Sequence, residues 1–138
     1  MRSVINILQN DAALVAILGN ANQIGMNVIG QTKKAPYVVV DVKQRTQTNT
    51  FREASTLDFI TVMVSSVADL TFTSGSTIGA FELGNAVRDA LDFATPGTYD
   101  SEDLARCIFD GGGQTHEDRI ANKKQFKRED NYLVTLAY

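Results

Sequence analysis

The 138-residue sequence has one cysteine, two prolines, one histidine and no tryptophan. A single cysteine, Cys107, excludes an internal disulfide framework. Its place in the apolar run Leu104–Phe109 marks a buried thiol rather than a reactive one. A single histidine leaves no choice of partners for a catalytic triad, and no serine sits in a Gly-x-Ser-x-Gly turn. No apolar run approaches the roughly 20 residues of a membrane helix, and the start, MRSVINILQND, lacks the features of a secretion signal. The cytoplasm is the expected compartment, away from any membrane. A net charge of −3 argues against a protein whose main work is gripping nucleic acid, which takes a basic surface.

What is present reads as one domain over residues 1–138, long enough to bury a core. A first helix carries Val4, Ile5, Leu8, Ala12, Val15 and Ile17 at helical spacing, with Ser3 as its cap. Asn10-Asp11 bends it or restarts it under a second cap, and Gly19 ends it. Pro36–Val42 and Leu57–Ser66 alternate as strands, the second with Ile60, Val62 and Val64 on one face and Phe59, Thr61 and Met63 on the other. Ile78–Phe93 is a second helix, and Pro96-Gly97 stops it. Leu104–Asp110 and Phe126–Tyr138 are the third and fourth strands, with Gly111-Gly112-Gly113 breaking or bending the third. The expected architecture is α+β: a mostly antiparallel four-stranded sheet with two helices on one face, in the order helix, strand, strand, helix, strand, strand. Apolar residues on both sides of the strands call for a second cover on the face away from the helices.

The search for chemistry finds little. Gly111–Gly113 is followed by Gln114-Thr115-His116-Glu117-Asp118, without the helix start and Lys-Ser/Thr pair of a phosphate loop. It reads as a hairpin tip or bulge. His116, Glu117 and Asp118 are chain neighbours whose side chains diverge in an extended segment, which suits a solvated histidine better than a metal site. Asp100, Glu102 and Asp103 lack the calcium-loop pattern. We therefore assign no catalytic, cofactor-binding or metal-binding residue, and the expectation is a non-enzymatic protein.

Charge is uneven: six acids and one base lie between Glu82 and Asp103, and five bases and no acid between Arg119 and Arg128. Two solvated faces would account for this, as would an acidic patch of one copy meeting a basic patch of the next. Between Val42 and Leu57 lie fourteen mostly polar residues without proline or glycine, far more than a hairpin needs. Within this arm Phe51, beside Arg52, has the composition of an interface anchor; packing back on its own domain is the other reading.

Several segments resemble the tail-completion and tail-terminator proteins of long-tailed bacteriophages. They are Asn10-Asp11-Ala12-Ala13-Leu14, Ala35-Pro36-Tyr37-Val38-Val39-Val40, Thr50-Phe51-Arg52-Glu53-Ala54-Ser55 leading into Asp58–Ser66, Ala86-Val87-Arg88-Asp89-Ala90-Leu91, and Asn131–Tyr138. The resemblance implies a virion protein of the tail or neck, forming a homo-oligomeric, hexameric ring that caps the tail tube. In such a ring the partners are the tail tube protein and the head–tail connector or stopper, and DNA passes through without specific binding. By position, the inter-ring arm maps onto Gln44–Thr56, with Gln44, Arg45, Phe51, Arg52 and Glu53 as contact candidates. A hairpin tip at Gly111–Asn122 and the basic run beside it add Gln114, His116, Arg119, Lys123 and Lys124. A head-completion or neck connector ring, and a small ligand-binding regulatory domain, are the alternatives. Phe51→Ala is expected to impair assembly and leave the far-ultraviolet circular dichroism unchanged; a loss of secondary structure would instead put Phe51 in the core.

Overall fold

The computed structural model describes residues 2–26, 34–48, 57–120 and 123–137. Its elements are α1 (Arg2–Gln9), α2 (Ala12–Leu18), a single 3-10 turn (Ala21–Gln23), β1 (Ile24–Met26), β2 (Tyr37–Thr48), β3 (Leu57–Ala68), α3 (Ala80–Leu91), β4 (Gly97–Tyr99), β5 (Glu102–Ile120) and β6 (Lys123–Ala137). The strands form one six-stranded sheet in the order β1-β2-β3-β6-β5-β4.

This corrects the expected four-stranded, two-helix arrangement. The leading helix is two helices because Asp11 leaves the helical conformation and its carboxylate accepts from Leu14 N at 2.9 Å, a side-chain cap that starts α2 afresh. Gly19 closes α2 in the left-handed conformation, φ +82°. Ser3 is not the cap of α1. It lies in the first turn, and its backbone N–H donates to Glu102 Oε1 at 2.6 Å, so a carboxylate from β5 meets the positive end of the helix.

The two added strands, β1 and β4, are three residues each, too short to show an alternating pattern. β1 runs parallel to β2, with Ile24 opposite Val38, so the sheet is mixed. The other correction concerns length. β2 runs through the polar residues to Thr48, paired with Leu57, past a bulge between Val42 and Gln44. β5 continues through Gly111, Gly112 and Gly113, whose φ values of +111°, +117° and +88° place the register shifts around them. Three residues free of a Cβ let the chain bulge and resume pairing rather than stop.

All three helices pack on one face. Val4, Leu8 and Leu14 from α1 and α2, and Leu83, Val87 and Leu91 from α3, enclose a core with Val38, Val40, Ile60, Val62, Val64, Tyr132, Val134 and Leu136 of the sheet. Cys107 lies in this core, and burial followed by the nearby Asp92 carboxylate pushes its thiol up to about 12.

The core also contains a charge pair. Arg128 and Asp130 occupy the helix-facing side of β6 and are almost fully buried. Arg128 Nε donates to Asp130 Oδ1 at 3.3 Å and lies 3.1 Å from Oδ2. Its Nη1 donates to Phe81 O and Asn85 Oδ1 of α3, both at 2.7 Å. Burial raises the Asp130 pKa above the ordinary carboxylate value despite the Arg128 charge and the Gly113 backbone hydrogen bond, which oppose it. The guanidinium passes over Gly84, where a Cβ would meet Arg128 Cδ and come within 2.6 Å of Nε. Gly84→Ala is therefore expected to destabilise the fold by about 1–3 kcal/mol through overpacking, although alanine is the better helix former by roughly 1 kcal/mol. Urea denaturation of the variant beside the parent reads the sign directly.

Candidate interaction surfaces

The face of the sheet away from the helices is closed at one end, where Tyr37, Ser65, Val67 and Gln125 are buried and Tyr37 Oη donates to Gln125 Oε1 at 3.4 Å, and open at the other. Phe59 is 46% exposed and Leu133 39%. Together with Ile108, Gln44, Thr46 and Arg106 they line an open trough of about 370 Å³. Its floor arises from strand parity: Phe59 and Leu133 alternate with the buried Ile60, Val134 and Tyr132, so one register fills the core and exposes the other set.

A second apolar set lies on the helix side. Phe72 and Phe81 stack in a tilted pair with centroids 5.6 Å apart, and Arg128 lies 5.0 Å from the Phe81 ring. Phe93, just after α3, is 79% exposed with φ +58°, a left-handed conformation that a bulky residue seldom adopts. The backbone there is held: Phe93 N donates to Cys107 O at 2.9 Å, and Asp92 Oδ1 accepts from Phe109 N at 2.9 Å. The turn thus occupies the outer edge of β5 and points a phenyl ring outward.

Of the residues expected in the inter-ring arm, Phe51, Arg52 and Glu53 lie outside the described residues. Gln44 is exposed on the trough. Arg45 is turned to a structural task. Its guanidinium is half exposed, but Nε donates to the fully buried Asp58 Oδ2 at 2.8 Å and Nη2 bonds to the same oxygen. The second expected group sits on the β5–β6 ribbon, whose turn lies between Ile120 and Lys123, paired with each other. Gly111–Gly113 is therefore a bulge within the ribbon rather than its tip. Gln114 and His116 are exposed, and His116 Nε2 lies 3.4 Å from Glu129 Oε1. Lys124 lies 3.5 Å from Glu117 Oε2 and 5.6 Å from the centre of the Phe126 ring. The backbones of Arg119 and Lys123 are placed by the register, Arg119 opposite Lys124; their side chains are outside the described set.

The two groups are not brought together. Leu57, where the chain returns from the arm, is opposite Ala137, whereas the ribbon turn adjoins Lys123. The fifteen residues of β6 separate the two ends by about 45 Å. Nor is the basic run wholly surface, since Arg128 is in the core. Extending the inward set Tyr132, Val134 and Leu136 back by twos would have put Asp130 and Arg128 there; Phe93 had no comparable signal.

No protein-family model matches the sequence, and no curated protein does. A solved structure does: a chain from the virion of a native gene transfer agent (GTA) particle superposes with a TM-score of 0.66 at 16% identity, over 99% of this chain and 92% of that one. The two chains share a fold.

The ion pairs near these surfaces should separate by burial. Arg45→Met is expected to cost about 1–3 kcal/mol, because it takes a charged hydrogen-bond partner from a buried carboxylate. Lys124→Ala, which breaks an exposed ion pair with Glu117 and a contact with the Phe126 ring, is expected to change stability by less than about 1 kcal/mol. Equal denaturation midpoints for the two variants would contradict this division.

Proposed function

We propose that this chain is a structural, non-enzymatic protein of a tailed virus-like particle, acting as a ring that caps the tail tube, ends its growth and joins it to the head connector. The observation that carries the reading is the fold shared, over nearly the full length of both chains, with a chain of the gene transfer agent virion. Three features of the subunit support it. The outer sheet face leaves Phe59 and Leu133 exposed in an open trough, as a subunit that completes itself by assembly requires. The β2–β3 and β5–β6 connections leave opposite ends of the sheet, so one subunit can reach a structure above the ring and another below it. No helix among the described residues is long and apolar enough to cross a membrane.

In this reading the ring is a hexamer whose partners are the tail tube protein on one side and the connector or stopper on the other, with DNA passing through the centre unheld. The finer assignment within the neck, terminator rather than head-completion ring, rests on the sequence resemblance described above. The regulatory-domain alternative called for a pocket beneath the helices; the trough lies on the opposite face.

The test is mass by light scattering across a concentration series, with negative-stain imaging of the large species. Closed rings at six times the 15.1 kDa subunit mass are expected. A monomer or dimer whose melting temperature rises with a small ligand would overturn the proposal in favour of the regulatory domain.

A further inference from the structure

We propose that the contact between neighbouring copies is heterologous, with the outer sheet face of one subunit receiving the exposed stripe of α3 and the Phe93 turn of the next. The inference rests on the ring reading above and names the surfaces that build the ring.

The first support is the position of the two apolar sets. Leu83, Val87 and Leu91 turn into the core, which leaves Phe81, Asn85 and Asp89 on the outward side of α3, with Phe93 beyond its end. Phe59 and Leu133 face outward from the other layer. A two-layer subunit with an apolar patch on each layer cannot cover both by a two-fold contact of one patch with itself. Sheet against sheet would leave the phenylalanines in water, and helix against helix would leave the trough. Joining unlike faces covers both, and repetition of such a contact closes a ring.

Area is the second support. The open part of the outer face is four strands wide over the seven residues of β3 from Leu57 to Met63, or roughly 400–450 Å², the size of an exposed patch that marks an interaction site. The third is charge. Among the described residues lining the trough the one charged side chain is Arg106, whereas the exposed side of α3 carries Asp89, its neighbour Arg88 being paired with Asp92. The fourth is the Phe93 turn itself. A left-handed backbone at a bulky residue is held in place by two hydrogen bonds to β5, yet the ring it displays has little to pack on in its own subunit, which is how strain is spent at a binding site.

The test uses two variants of the full chain, Leu133→Glu on the sheet face and Phe93→Glu on the turn, with Phe59→Glu in reserve should Leu133→Glu lose its circular dichroism spectrum. Each alone is expected to run at the mass of a single subunit. An equimolar mixture retains one intact pair of faces and is expected to give a species of twice the subunit mass and nothing larger. A mixture that stays at the single-subunit mass overturns the inference, and so does Phe93→Glu forming dimers by itself, the mark of sheet-to-sheet pairing. Parent rings with Phe93→Glu rings beside them overturn this contact alone and leave the ring reading standing. A parent that remains monomeric throughout overturns both.

Discussion

Arg128 carries a charge into the core, and the seating of α3 on the sheet depends on how that charge is met. A guanidinium out of water must satisfy its donors or lose several kcal/mol. Asp130 supplies the counter-charge from the same strand, and α3 supplies Phe81 O and Asn85 Oδ1. The helix can come close enough only because Gly84 has no side chain at the crossing. Register, helix position and glycine are therefore one constraint. Moving β6 by one residue would turn Arg128 and Asp130 to the outer face and put Lys127 and Glu129 under the helix.

The same constraint shapes β5. Asp130 lies opposite Gly112, where a Cβ would approach the Asp130 backbone within 2.9 Å, and Gly113 gives its backbone N–H to the carboxylate. Positive φ values at the three glycines let the strand bulge around the buried pair and continue into the ribbon. A glycine run that reads as a break in isolation is, beside a buried aspartate, the means by which the strand survives.

This explains what could and could not be read from the residues. The alternation of Ile60, Val62 and Val64 against Phe59, Thr61 and Met63 was legible because a strand's period is local, and so was the core stripe of α3 through Leu83, Val87 and Leu91. Asp11 was legible as a restart because a cap depends on its next three residues. β1 and β4 were not, because three residues carry no period, and their pairing is decided by neighbours across the sheet. The polar stretch after Val42 read as an arm, yet Gln44 to Thr48 pair with β3. Polar residues suit an extended β-ribbon as well as a loop, and only the opposing strand distinguishes them. Of the expected contact residues, Arg45 is bonded to Asp58 across the hairpin, a pairing that sequence order hides, and Gln44 lies on the trough.

A two-sided sheet in a subunit of this size has a directional consequence. One face is closed by the subunit's own helices, and the open stretch of the other, around Phe59 and Leu133, is closed by something outside or left in water. A chain that meets this need with an unlike face of its copy commits each subunit to two neighbours, one at its sheet and one at its α3. That geometry has no natural stopping point except closure, and the number of subunits is set by the angle between the two faces rather than by the strength of either. The β2–β3 and β5–β6 connections leave from opposite ends of the strands, so in the proposed ring neither competes with the sheet face or α3 for a partner.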